Sequence, residues 1–208
     1  MQTDKIMVYS NGTGMEAALK ETERFAKYQE LDRKSAMRLR LLAEETLGMV
    51  KAITGAFNAK FWLEKESREC RIHLEADTYM DDEKERELIA ISTSGKNEAN
   101  KGFMGMIKNL FLSAYKGLDE ANQTHLDFGG STVMFGTLGM REVDALSNMN
   151  FEWSYLQYKE GLEENKAEND AAGEAWDELE KSIVGNIADD VRVSVRGDVV
   201  ELVITKTF

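Results

Sequence analysis

Four stretches of the chain alternate apolar and polar residues one by one, the pattern of strands with a single buried face. Ala59 to Glu64 (AKFWLE) and Cys70 to Ala76 (CRIHLEA) are joined by the short polar link Lys65 to Glu69 and predict an antiparallel hairpin. Val191 to Val195 and Val199 to Ile204, joined by Arg196-Gly197-Asp198, predict a second. A short apolar run with β-branched and aromatic members, Lys5 to Ser10, predicts a further strand. After it the turn Asn11-Gly12-Thr13-Gly14 leads into a helix, with Thr13 and Glu16 at capping-box spacing and apolar positions continuing to about Leu31. Asp32 is placed to cap a second helix from Arg33 to about Thr54. Its stripe of Leu39, Leu42, Ala43, Leu47, Val50 and Ile53 repeats every three to four residues.

The middle of the chain is read more coarsely. Asp81 to Ser92 and Gly102 to Tyr115 predict helices flanking a polar loop, Ser94 to Lys101. Phe128 to Gly136 has the pattern of a turn and a short strand. Residues 159–181 carry nine acids and three bases, a solvated helix or loop, and Trp176, Leu179, Ile183 and Ile187 extend a helical stripe beyond it. No stretch repeats at a fixed period. Hairpin strands at both ends with helices gathered between them imply an α+β fold: a two-layer α/β sandwich, its sheet mixed but mostly antiparallel, with helices on one face.

Length and composition narrow the class of protein. At 208 residues with 42% hydrophobic and 31% charged residues, a single globular domain over 1–208 is expected. The net charge of -12 argues against a nucleic-acid binder, which must neutralise phosphates with clustered Lys and Arg. A single cysteine, Cys70, rules out an internal disulfide framework and a cysteine-rich zinc site. No apolar run approaches the roughly 20 residues of a membrane span, and Met1 to Lys5 lacks a signal-peptide pattern, so a cytoplasmic protein without membrane contact is expected.

Several short motifs bear on chemistry. Gly12-Thr13-Gly14-Met15-Glu16-Ala17 fits G-x-G-x-x-A between a strand and a helix, but a second helix follows where a dinucleotide-binding unit requires a parallel strand. Thr93-Ser94-Gly95-Lys96 lacks the first glycine of a P-loop, which is Ala90, and Asn97 replaces its Ser or Thr. His73 and His125 are isolated from further metal ligands at helical spacing. Glu44 and Glu45 lie beside the apolar stripe of the second helix, where a carboxylate either points to solvent or polarises water or reaches a metal. Gly102-Phe103-Met104-Gly105 opens an apolar segment, where glycines either expose backbone N–H groups to phosphate or permit close helix packing.

Taken together, the order of elements and these residues resemble the GHKL, or Bergerat-fold, ATP-binding domains, most nearly the small anti-sigma-factor serine kinases. Leu41 to Met49 (LLAEETLGM) resembles the N-box helix, which makes Glu45 the counterpart of the catalytic Glu that activates water or assists Mg²⁺. Asp77, after the strand ending at Ala76, corresponds to the adenine-binding Asp. Ser92 to Lys101 corresponds to the lid, Gly102 to Ile107 to the G2 box with Gly102 and Gly105 at the nucleotide, and Val191 to Ile204 to the last two strands. The chain departs from the family at four places, one of them the family's Thr near the last strand, which has no clear match here. The N-box Asn, four residues after the Glu, is Met49, and a thioether is a poor ligand for a hard ion. Thr78-Tyr79-Met80-Asp81 replaces the D-x-G-x-G pattern after Asp77, and residues 116–190 form an insertion before the final hairpin.

The resemblance implies a regulatory domain that binds ATP or ADP, with Mg²⁺ as the accompanying ion and with weak or absent catalysis. Two alternatives stand beside it. One is an active serine/threonine kinase of the anti-sigma type. The other is a nucleotide-free interaction module with the acidic insertion as contact surface and Trp153, Tyr155, Tyr158 and Trp176 as aromatic anchors. A regulatory protein partner is expected in each case, and a homodimer is compatible with all three.

Overall fold

The computed structural model describes residues 1–51, 57–77, 127–128, 131–132, 150–167, 170–196 and 199–208. In chain order they form β1 (Ile6–Tyr9), α1 (Met15–Tyr28), α2 (Arg33–Lys51), β2 (Asn58–Glu66), β3 (Glu69–Asp77), β4 (Asp127–Phe128), β5 (Ser131–Thr132), β6 (Asn150–Ser154), α3 (Tyr155–Asn165), α4 (Asp170–Lys181), α5 (Ile183–Ile187), β7 (Asp190–Arg196) and β8 (Val199–Thr207). Six strands make one sheet in the order β1-β2-β3-β8-β7-β6, while β4 and β5 pair separately. Every pairing among the described strands is antiparallel, so the mixed sheet expected from sequence gives way to a uniformly antiparallel one. The helices expected at 81–92 and 102–115 lie outside the described residues.

One cross-strand row shows how the core is built. Ile6, Phe61, Leu74, Leu202, Val193 and Trp153 stand in register across all six strands. All but Ile6 are buried, and Phe61, Leu74, Leu202 and Val193 are fully so. Because successive side chains alternate faces, this register puts Ala59, Leu63, Cys70, Ile72, Ala76, Val191, Val200 and Ile204 on the same side. The described helices pack on that side. Phe25, Leu39, Leu42, Leu47 and Val50 of α1 and α2 and Tyr155, Leu162, Leu179 and Val184 of α3 to α5 belong to the same buried cluster. The opposite face carries the polar positions.

The helix ends explain where the sequence boundaries shift. The capping box expected at Thr13 does not form. Gly14 is the N-cap of α1, in the left-handed region at φ 84°, and no side chain caps the helix there. α1 ends at Tyr28 rather than near Leu31 because Glu30 turns left-handed (φ 52°), and the Leu31 N–H returns to the Ala26 carbonyl. Asp32 caps α2 as expected, its Oδ1 accepting from the N–H groups of Lys34 and Ser35 at 2.8 and 3.1 Å. The apolar stripe expected to run through Trp176, Leu179, Ile183 and Ile187 is broken. Ser182 ends α4 and caps α5 by accepting from the Gly185 N–H at 3.2 Å, which leaves Ile183 exposed.

Within the segment expected as an insertion, β6 is an integral strand of the sheet, paired with β7. It runs directly into α3, whose Ser154 N-cap makes no side-chain cap bond; Asp190 of β7 accepts from the Leu156 N–H instead, at 3.4 Å. The aromatic residues read as contact anchors are mostly internal. Trp153, Tyr155 and Tyr158 are buried in the core, with the Tyr155 hydroxyl donating to the Gly185 carbonyl at 2.9 Å. Trp176 is half-buried, with the Lys166 ammonium 3.7 Å above its ring and its Nε1 donating to Glu180.

Candidate functional site

The two described residues expected at a nucleotide site, Glu45 and Asp77, sit on elements that meet at one end of the sheet. α2 ends at Lys51, and residues 52–57 connect it to the start of β2. Six residues reach at most about 20 Å, so the last turns of α2 stay close to that end. β3 runs antiparallel to β2 and finishes at Asp77, which is in register with Val199 at the start of β8. β1 also ends here, Tyr9 pairing with Asn58, and β6 begins here, Asn150 pairing with Arg196. β3 therefore ends and β6 begins at the same end of the sheet. Gly102, Gly105 and the expected lid lie outside the described residues.

The phase of α2 decides what each of its residues can do. Leu42, Ala43, Thr46, Leu47, Met49 and Val50 are buried, while Glu44 and Glu45 lie half-buried at the edge of that stripe. Glu44 is occupied by an ion pair with Arg40 one turn earlier, at 2.7 Å. Glu45 has no ion pair among the described residues. Met49, one turn further on, is 4% exposed and belongs to the core. The residue where the resemblance implies a metal-binding Asn is thus a thioether committed to packing. Of these two positions only 45 offers an oxygen ligand, so the donor set that α2 presents fits a hard divalent ion poorly. Among the described residues no three His, Cys, Asp or Glu side chains form a group suited to a metal.

The glycine motif at 12–17 has a structural explanation. Both glycines adopt positive φ, 92° and 84°. A Cβ on Gly14 would come within 1.9 Å of the Met7 carbonyl oxygen, so the second glycine permits the approach of β1.

A cluster that sequence reasoning treated as a lone histidine occupies the face opposite the core helices, with Trp62 and His73 both buried. The β2–β3 register places Trp62 opposite His73, and their rings stack with centroids 4.6 Å apart at 8°. The Lys5 ammonium lies 3.9 Å from the Trp62 ring centroid. His73 Nδ1 shares a hydrogen bond with Glu201 at 2.7 Å; Nε2 is buried, 3.4 Å from Glu64, with no hydrogen bond among the described residues. One row away, Glu75 accepts from Lys60 at 2.9 Å and Lys5 at 3.2 Å. A hollow of about 560 Å³ opens beside the cluster, lined by Arg71, His73, Asp190, Arg192 and Glu201 among others. The sequence signal was present: His73 and Trp62 both fall on the polar phase of their strands, so a hairpin register implies their contact.

These ion pairs set an acid limit on stability. Burial raises the Glu75 carboxyl, but the hydrogen bonds and charges of Lys60 and Lys5 outweigh it and leave Glu75 below its ordinary value. Asp189 is likewise opposed by burial and lowered by Lys206 and by the Thr207 N–H. A carboxyl depressed in the folded state stabilises above its unfolded pKa and loses that contribution as pH falls through the folded value. Stability is therefore expected to hold at neutral pH and to decline below about pH 4, near the ordinary carboxylate range. Urea midpoints measured from pH 7 to pH 3 check this, and Glu75→Gln is expected to flatten the acid limb.

Neither a protein-family model, nor a curated protein, nor a solved structure matches the chain.

Proposed function

We propose that the chain is a regulatory domain of Bergerat type that binds ATP or ADP at the sheet end shared by Glu45 and Asp77, with weak or absent catalysis. The observation that carries the reading is that shared end. A half-buried carboxylate near the end of α2 and the terminus of β3 come to the side where β3 ends and β6 begins. Asp77 reads the adenine and the glycines at 102 and 105 receive the phosphates. Weak catalysis follows from Met49: phosphoryl transfer depends on metal positioning and charge neutralisation, and a buried thioether supplies neither.

Titration calorimetry with ATP and ADP, with and without Mg²⁺, tests the proposal. Binding is expected, with little dependence on Mg²⁺, and Asp77→Ala is expected to weaken it at least tenfold through loss of a polar base contact. No heat at millimolar nucleotide removes the nucleotide reading. Transfer of labelled phosphate to a partner protein, lost in Glu45→Ala, moves the conclusion to an active serine/threonine kinase.

A second reading, a nucleotide-free interaction module, is favoured by one observation: acidic side chains crowd the exposed surfaces of α3 and α4. Glu160, Glu163, Glu164, Glu174, Asp177 and Glu178 are all exposed and have no ion pair among the described residues.

A further inference from the structure

The helical layer carries two charged patches of opposite sign. α1 packs on β1 and β2, α2 on β1 and β3, α3 on β6 and β7, and α5 lies against both α2 and α4. Residues 24–40, at the α1–α2 junction, carry six bases and two acids in a chain of net charge -12. Residues 159–181, spanning α3 and α4, carry nine acids and three bases. The α1–α2 junction is therefore a local basic patch, although residues 15–51 as a whole carry eight bases and seven acids, while α3 and α4 are acidic throughout. At the junction, Lys27, Arg33, Lys34 and Arg38 have no ion pair among the described residues, mirroring the unpaired acids of α3 and α4.

The α1–α2 junction also contains an apolar groove. Between α1 and α2 a hollow of about 520 Å³ is walled by Ala26, Leu31, Ala36, Met37 and Leu41, with Lys27 and the Glu23–Arg40 pair at its rim. Met37 is 57% exposed there and Tyr28, at the end of α1, is 71% exposed. An apolar concavity with a polar rim and uncompensated positive charge suits an acidic helical surface bearing an apolar side chain. The chain has such a surface: Ile183, 43% exposed, stands at the end of acidic α4.

We propose that two copies of this chain associate through their helical faces, the basic groove between α1 and α2 of each copy receiving the acidic helices α3 and α4 of the other. A two-fold axis lying in the plane between the facing layers, along the line that separates the α1–α2 junction from α3 and α4, makes both contacts at once, so the assembly closes as a dimer. An in-plane axis at right angles to it sets the junction bases against each other and the acids of α3 and α4 against each other, which selects the first arrangement. The proposal does not depend on nucleotide binding.

The test is sedimentation equilibrium of the full chain over a concentration series at low and high salt, with two charge-reversed variants, Lys34→Glu/Arg38→Glu and Glu174→Lys/Glu178→Lys. Lys34, Glu174 and Glu178 are exposed and Arg38 is half-buried, and a far-ultraviolet dichroism melt confirms that each variant folds. The wild type is expected at twice 23.5 kDa in low salt and to dissociate as salt rises. Each variant alone is expected to raise the dissociation constant about tenfold or more. Mixing the two variants is expected to restore association, because the positions reversed in one then face those reversed in the other, while the second contact keeps its original charges on both sides. A wild type that stays monomeric, a dimer unchanged in both variants, or variants that fail to associate on mixing overturns the proposal. So does an acidic amphipathic peptide that binds the groove of a strictly monomeric chain.

Discussion

Replacing Gly14 with alanine is expected to destabilise the protein by about 2–5 kcal/mol, combining the left-handed backbone penalty with the strain of overpacking. Gly14 sits at φ 84°, and its Cβ would lie 1.9 Å from the Met7 carbonyl oxygen and 3.3 Å from the Val8 Cα. Both neighbours are backbone of β1, so the conflict is not relieved by a rotamer change. The strand must move away from α1, and Val8, fully buried, moves with it. Gly12 is the control. It has a positive φ of 92° but nothing within 4 Å of its virtual Cβ, so Gly12→Ala incurs only the conformational penalty, about 1–2 kcal/mol. Urea unfolding of both variants checks the pair, and equal midpoints would show that the approach of β1 is not what fixes residue 14 as glycine.

Phe61→Ala is expected to cost about 3–5 kcal/mol, with a fall in the urea midpoint at unchanged slope. Phe61 is fully buried in the cross-strand row, in register with Ile6 on one side and Leu74 on the other. The residues that would close around the cavity are fixed by hydrogen-bonded strands on both sides, which limits collapse. Met7, 39% exposed in β1, makes the comparison: its truncation is expected to change stability by about 0.5 kcal/mol or less.

The parts of this architecture that are legible in sequence are those set by local pattern. β3 and β7 alternate cleanly, β2 and β8 keep the same phase apart from Trp62, Val199 and Val203, and the strands are joined in pairs by short links, so both hairpins follow from residues close in the chain. α2 follows from its stripe and from Asp32. The seam that makes one sheet of the two hairpins, β3 against β8, joins Glu69 to Thr207 and Asp77 to Val199. No local signal specifies that pairing; it results from burying both apolar faces under one helical layer. β6 escaped notice for a different reason. Phe151 and Trp153 do alternate with Glu152 and Ser154, but the strand passes into α3 at Tyr155 with no turn residue between, so its period is lost in the helix that follows.

The candidate site divides in the same way. Helical phase suffices to set Glu45 at the edge of the buried stripe and Met49 inside it. The ion pair that occupies Glu44 also follows the local i,i+4 rule. The meeting of α2 and the end of β3 depends on hairpin direction and is recoverable from the β2–β3 link. The Trp62–His73–Glu201 cluster needs the β3–β8 register as well, which is why His73 read as solitary.

The position of β8 has a consequence for biosynthesis. A ribosome that has released everything through β7 has delivered two sheet fragments, β1-β2-β3 and β7-β6, whose facing edges share no hydrogen bond. The strand that joins them is translated after the other five described strands of the sheet. Until it emerges, β3 and β7 each present an open edge to solvent or to a chaperone, so closure of the core waits on a single late segment.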